Sequence, residues 1–427
     1  MKFFTGRSAR EPEIVVVETA HASLSSPNWL ERCDVEGADL ALAPVEPPEG
    51  PVPALVLTSV ASTAPLTDAA VGALHAARTR HPDAFIVAVD LWHPAPDGTA
   101  PRGRRIVFVS RTEDGQDVVV ATWVWATGTH HVQLSASCVP SQWTGYSPAF
   151  SGIAAQLSLT ADPDDVAAAA VGAGDAPLDA SVSARAGYPL EALDALPAPR
   201  FFSAAPRVST AALQTLLSGA TRSRMGAAYG VLPRAHRGSA LARELQDAGW
   251  IDADGRLTRD GGAAGVALAA RQHLLTVQTR RGERAALLTA YAGSRGVLVL
   301  HDPAMSEGGA ARGADGAVRH ATVVDPEHLP VFVSAWLGLT PGWPVSEVDE
   351  GITVDELRTH LEATDDAVEP WTDVLLRTGR GELYDVISHS RGWLRIGAPV
   401  DGIHPLRAEP TASVFDVLAA VISRARA

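Results

Sequence analysis

Apolar and polar positions alternate in short runs between residues 36 and 160. Asp39–Ala43 and Ala54–Thr58 flank a Pro/Glu/Gly stretch and predict two strands. Thr67-Asp68 then caps a segment with Ala70, Val71, Leu74 and Ala77 at helical spacing, which His81-Pro82 ends. Strands follow at Phe85–Trp92, Arg105–Ser110, Val118–Ala126 and His131–Val139, the last two joined by the turn Thr127-Gly128-Thr129. Along His131–Val139, Val132, Leu134, Ala136 and Cys138 share one face, while His131, Gln133, Ser135 and Ser137 share the other. That period of two predicts a sheet with one wet face. Phe150, Ile153, Ala154 and Leu157 predict a closing helix over Ala149–Leu157.

The texture changes after residue 160. Gly, Pro and Ala alternate through 161–205, with short Ala/Leu stretches such as Leu190–Leu196, which reads as a tether. Beyond it the chain repeats itself. Leu274–Glu283, a strand through Ala286–Ala290 and Ser294–Leu300 match Asp373–Glu382, Leu383–Ile387 and Ser390–Ile396. Arg-Gly-Glu and then Ser-Arg-Gly recur as turn signals, so each copy reads as a three-stranded meander leading into one more strand. A helix precedes each copy (Ala240–Ala248 and Val354–Leu361) and another follows (Leu329–Leu337 and Ala412–Ser423). The predicted fold class is α+β: an N-terminal α/β sandwich of an antiparallel sheet with helices, and a C-terminal pseudo-twofold α/β domain with two β-meanders. The expected divisions are an N-terminal extension at 1–35, domains at 36–160 and 206–427, and a linker at 161–205.

Charge narrows the partners. Lys plus Arg number 35 against 49 Asp plus Glu, a formal charge of −14, which disfavours nucleic acid and anionic lipid. No apolar run reaches the ~18 residues of a membrane span. Met1–Arg7 soon meets Arg10, Glu11 and Glu13 and lacks the apolar core of a secretory signal, so a cytoplasmic protein without membrane insertion is expected. Two cysteines, Cys33 and Cys138, are too few for a disulfide framework or a Cys-rich zinc site. Lys2 is the one lysine, which argues against lysine-based phosphate or Schiff-base chemistry.

Candidate chemistry is sparse. The chain has no Gly-Xaa-Ser-Xaa-Gly elbow, no Gly-Lys-Ser/Thr phosphate loop and no His-Glu-Xaa-Xaa-His. His130-His131 are adjacent on a strand, so they point to opposite faces and make a poor metal pair. Asp252-Ala253-Asp254-Gly255 lacks the spaced third acid and the terminal Glu of a calcium loop and reads as a type I turn. Trp123 and Trp125 fall on one strand face, where they either pack under a helix or line a binding groove. The segment containing Gly308, Gly309, Arg312, Gly313 and Gly316 lies between two predicted strands and opens no helix, so it reads as a mobile hairpin loop. Leu245–Thr258 resembles the recognition helix and wing of a winged-helix domain, but Glu244, Asp247, Asp252 and Asp254 counter Arg243 and Arg256 there.

Two family resemblances rest on these residues. The run Trp123-Val124-Trp125, through Val132–Cys138 to Phe150, is similar to the PsbP-like fold of LpqN-type actinobacterial proteins and covers about 120 residues. That resemblance implies a non-enzymatic adaptor domain. Leu245–Leu257, the two meanders and their trailing helices resemble the EspG family, cytosolic chaperones of type VII (ESX) secretion, over about 200 residues. That one implies a protein that binds secreted helical-pair substrates through a sheet face and nearby loops. The expectation is a non-catalytic cytoplasmic adaptor or chaperone with a protein partner and no cofactor or metal. Trp123, Trp125, Gly308, Gly309, Arg312, Gly313 and Gly316 are its candidate partner-binding residues. The alternatives are a winged-helix regulator and an enzyme without a recognisable motif.

Overall fold

The computed structural model of the chain describes residues 13–48, 50–82, 84–94, 101–112, 115–170, 205–223, 232, 238–305, 310–311, 318–339, 351–364, 368–389 and 392–426. The chain divides into two compact units, residues 1–192 and 193–427. Both are mixed α+β structures in which the sheets are antiparallel.

The first unit begins earlier than residue 36. Strands β1 (Ile14–Glu18), β2 (Ala22–Pro27) and β3 (Leu30–Cys33) precede β4 (Leu40–Pro44) and β5 (Ala54–Ala61). β3 pairs with β4, so the stretch expected to be an extension supplies an edge of the main sheet. β2 alternates buried Ala22, Leu24 and Ser26 with half-buried neighbours, the burial pattern of a strand with one covered face. Helix α1 (Leu66–Arg80) follows. Its N-cap is Pro65, with no side-chain cap, so Thr67 and Asp68 lie inside the first turn instead of before it. Then come β6 (Phe85–Trp92), β7 (Gly103–Arg111), β8 (Asp117–Ala126) and β9 (His130–Cys138). Among the described residues these make a 7-stranded sheet of order β3-β4-β5-β9-β8-β7-β6.

Helix α2 (Pro140–Ala155) packs on β8 and β9. It starts nine positions before the expected Ala149, because Trp143 and Ser147 continue the buried stripe of Phe150 and Ile153 back through Pro148. α1 packs on β7 and β8. The side of β9 expected to be wet is half-buried at His131, Gln133, Ser135 and Ser137, because α1 stands over that face. β10 (Ser158–Leu159) joins β1 and β2 in a three-stranded sheet. α3 (Pro163–Ala169) then occupies the start of the expected tether; Asp162 caps it by accepting from the Asp164 amide at 2.9 Å, and Val166 is buried. The rest of that tether, including Leu190–Leu196, lies outside the described residues up to 204.

The second unit is built twice. β11 (Arg207–Ser209) leads into α4 (Thr210–Ser223), α5 (Ala240–Asp247) and α6 (Arg259–Ala270). β12 (Gln272–Arg281), β13 (Arg284–Gly293), β14 (Gly296–His301), β15 (Ala310–Ala311), β16 (Val318–Val324) and α7 (Leu329–Leu337) complete the first half. β17 (Gly351–Thr353), α8 (Val354–Glu362), β18 (Thr372–Thr378), β19 (Leu383–His389), β20 (Gly392–Ile396), β21 (Ile403–Glu409) and α9 (Thr411–Arg426) form the second. The sheet runs β11-β16-β14-β13-β12-β18-β19-β20-β21-β17, with β15 off this path on β13. Read outward from the β12–β18 seam, the two halves have the same strand order, and in each the first strand closes the outer edge.

The recurring triplets make the same turns. Gly282 and Gly381 have φ of +56° and +86°, and Gly296 and Gly392 have +148° and +128°, a region that glycine enters without the Cβ penalty. α7 and α9 pack on each other, and α9 packs on β12 and β18. Together they bury Phe332, Val333, Trp336, Val414, Leu418 and Ile422 against Val277, Leu288, Val374, Leu376 and Val386. On the opposite face α4, α5 and α6 cover the first half around Leu216, Leu245, Trp250 and Leu298. The second half has a thinner cover there, with Leu357 and Leu361 of α8 packed on a cluster of Ile352, Trp371, Ile387, Leu394 and Leu406.

Candidate functional site

The seam between the halves fixes the symmetry of the second unit. Aligning the copies on Gly282 and Gly381 makes Val277 and Leu376 counterparts, and these two face each other across β12 and β18. Around them the pairs exchange: Leu275 faces Thr378, and Thr279 faces Val374. A local twofold axis therefore passes between Val277 and Leu376. α7 and α9 cover it on one side.

The other side is more open. Gln278, Arg377 and Asp385 are exposed, Thr276, Arg280, Asp373 and Leu375 are half-buried, and Leu383 keeps 60% of its surface in solvent. Strand alternation places these residues opposite the buried Val277, Thr279, Val374, Leu376 and Val386. The surface combines apolar side chains with both signs of charge, since Leu375 is in register with Asp385, and Arg377 with Leu383. The alternation of Thr372–Thr378 carried part of the signal for this face, while the pairing of β18 with β12 does not follow from the repeat.

Electrostatics on this face centre on two carboxyls. Burial and the neighbouring Asp373 push the Asp385 carboxyl up from 3.8 to about 6. Burial also raises Asp373, with Arg280 pulling the other way. A carboxyl held above its unfolded value adds stability that is complete below about pH 4 and is lost as pH rises through about 6. Asp385→Asn is therefore expected to be more stable than the parent at pH 7.5 and to lose the parent's decline between pH 4 and 6. Asp385 is only partly withdrawn from solvent, so screening holds the gain to about 1 kcal/mol. Urea melts at pH 4.5 and 7.5 measure it; parallel pH profiles for the two proteins would remove the coupling.

The tryptophan candidates lie elsewhere. Trp123 and Trp125 are fully buried on β8, so they are core residues and offer a partner nothing to touch. Trp92 meets Trp123 edge-on at 5.7 Å, and the Arg105 guanidinium lies 5.5 Å from the Trp123 ring. The Trp125 indole N–H donates to the Pro101 carbonyl at 3.3 Å. Gly308, Gly309, Arg312, Gly313 and Gly316 lie outside the described residues. Between them, Ala310 and Ala311 pair with Ala285 and Arg284 of β13.

The remaining motifs take structural places. His131 Nε2 is 2.9 Å from the Ala64 carbonyl oxygen, while His130 stacks on His21 at 3.9 Å. Among the described residues no cluster of three or more His, Cys, Asp or Glu is arranged to hold a metal ion. Cys33 and Cys138 are free thiols, and burial pushes Cys138 up to about 12. Asp252 Oδ1 accepts from the amides of Asp254 and Arg256, which makes the expected tight turn. The winged-helix pattern turns inward: Leu245, Trp250, Ile251 and Leu257 are buried, and α6 packs on β13 and β14. No helix among the described residues is long and apolar enough to cross a membrane.

No family model matches the chain, and no curated protein matches it. Among solved structures it is similar to the cyanobacterial PsbP (CyanoP) of Synechocystis sp. PCC 6803, at 12% identity and a TM-score of 0.28, over 36% of this chain and 97% of that one. It is also similar to LpqN of Mycobacterium tuberculosis, a protein involved in cell envelope biogenesis, at 14% identity and a TM-score of 0.24, over 35% and 92%. A structure from Bacteroides thetaiotaomicron VPI-5482 covers 69% of this chain and 87% of its own, at 10% identity and a TM-score of 0.25. PsbP and LpqN are thus among the neighbours over about a third of the chain, while the EspG resemblance draws no support from these comparisons.

Proposed function

We propose that the protein is a non-catalytic cytoplasmic adaptor or chaperone that holds a helical-pair substrate of type VII secretion on the seam face of its second unit. The observation that carries this reading is the open strand surface beside the local twofold axis, where Leu383 is 60% exposed near half-buried Leu375. A strand face of this kind accepts the apolar stripe of an amphipathic helix pair, and charges of both signs around it set orientation. The type VII link rests on the resemblance of Leu245–Leu257 and the two meanders to EspG chaperones.

The test is co-expression of the full chain with a helical-pair type VII substrate, followed by size exclusion. The parent is expected to keep the substrate soluble in a co-eluting complex. Leu383→Asp should weaken that complex at least tenfold, because a carboxylate is placed under an apolar stripe. Its melting temperature should stay close to the parent's, since Leu383 is largely outside the core. A substrate that remains insoluble with the parent, or that is held equally by Leu383→Asp, refutes the reading.

A further inference from the structure

The first unit contains a cavity of about 500 Å³ between α1 and its main sheet. That is within the ~300–1,000 Å³ range of small-molecule sites. Its floor is made by register. Val56 of β5, Ser135 of β9, Thr122 of β8 and Ile106 of β7 form one row across four strands. Ser137, Val120 and Phe108 form a parallel row, and Thr58 with Gln133 begins a third. One half of the floor is therefore hydroxyl and amide, and the other half is apolar.

The roof explains why the space stays open. α1 lines the cavity with half-buried Ala73 and Ala77 and with exposed Ala76, while Leu66, Ala70 and Leu74 are its buried anchors. With alanines at three positions of the inward stripe and Ser or Thr opposite, no side chain is long enough to close the gap. Thr122 Oγ1 and Ser135 Oγ lie 3.1 Å apart, and the Gln133 amide donates to Ser135 Oγ at 3.0 Å. Among the described residues the Thr58 and Ser137 hydroxyls have no hydrogen-bond partner, so both remain available to a guest.

Among the described lining residues, Arg80, exposed in the last turn of α1, is the cation, and none is Asp or Glu. Asp34 and Glu36 flank the lining residue Val35 in the chain but are not part of the wall. His81 stands next to Arg80 with its ring 5.8 Å from Phe108; burial and the Arg80 charge lower its pKa, so it is neutral at pH 7.

We propose that this cavity binds a small amphipathic acid: an apolar, ring-sized body against Ile106, Phe108 and Val120, a hydrogen-bonding edge along Thr58, Ser135 and Ser137, and one anionic head at Arg80. The site is separate from the seam face of the second unit and does not depend on the adaptor reading.

The probes are 1-anilinonaphthalene-8-sulfonate and its uncharged counterpart N-phenyl-1-naphthylamine, titrated by fluorescence into the full-length protein. The sulfonate should bind saturably at about one per chain with a micromolar Kd. Ala76→Phe, which fills the cavity from the roof, should weaken both probes about tenfold or more while keeping the melting temperature. Ser135→Leu fills it from the floor and should do the same. Arg80→Gln should weaken the sulfonate about fivefold and leave the uncharged probe within about twofold. Binding that neither filling variant reduces would place the probes elsewhere and overturn the site. Equal loss of both probes in Arg80→Gln would overturn the acid preference.

Discussion

Truncating Trp123 to alanine should cost about 3–5 kcal/mol of stability, the range for removing a fully buried large aromatic side chain. The ring is 0% exposed, its strand neighbours are Arg105 and Leu134, and Trp92 meets it edge-on. Collapse around the vacated space is limited because the site lies in the middle of a sheet, between β7 and β9. Loss of the Arg105 contact adds to the cost, since that guanidinium is itself buried and the ring face helps to accommodate its charge. Trp123→Phe should fall between the two. Urea unfolding gives the free energies. At a temperature where both proteins are fully folded, any partner should bind the alanine variant as it binds the parent. A variant with parent stability but lost binding would make Trp123 a contact residue after all.

That outcome bears on what a linear pattern can and cannot say. The alternation of Val118–Ala126 placed Trp123 and Trp125 on one face, and they are on one face; nothing in it says whether a helix covers that face. α2 does, and half of α2 was illegible because Ser141-Gln142-Trp143-Thr144-Gly145 and Pro148 look like a loop. His130–Cys138 was readable from its period of two, Phe85–Trp92 and Leu329–Leu337 from apolar runs bounded by turn signals, and the recurring turns from their glycines. β11 and β17 were not, since three residues hold no period and their position is set by pairing with β16 and β21. The cavity was half visible: Gln133, Ser135 and Ser137 read as a polar face, but only the stripe of Ala73, Ala76 and Ala77 over them makes that face a chamber instead of a wet surface.

The seam itself makes the sharpest demand on a single residue. Gly379 directly follows β18, and its amide donates to the Leu274 carbonyl at 2.7 Å, a bond that joins the halves at that end. A Cβ on Gly379 would run into the carbonyl oxygen of His273, a backbone atom that cannot swing away. Gly379→Val should therefore push β12 from β18 there and cost about 3 kcal/mol, at the upper end for overpacking. Gly381, two residues on, gives the control. It has φ of +86°, and a Cβ there would meet nothing within 4 Å, so Gly381→Ala should cost about 1 kcal/mol of backbone strain alone. Hydrogen exchange localises the difference. In Gly379→Val the amides of 272–281 and 372–378 should exchange faster, while β14 and β20, each two strands from the seam pair, keep their protection. If Gly379→Val is as stable as Gly381→Ala and leaves 272–281 protected, β12 and β18 are not paired in this register, and the twofold axis between Val277 and Leu376 goes with it.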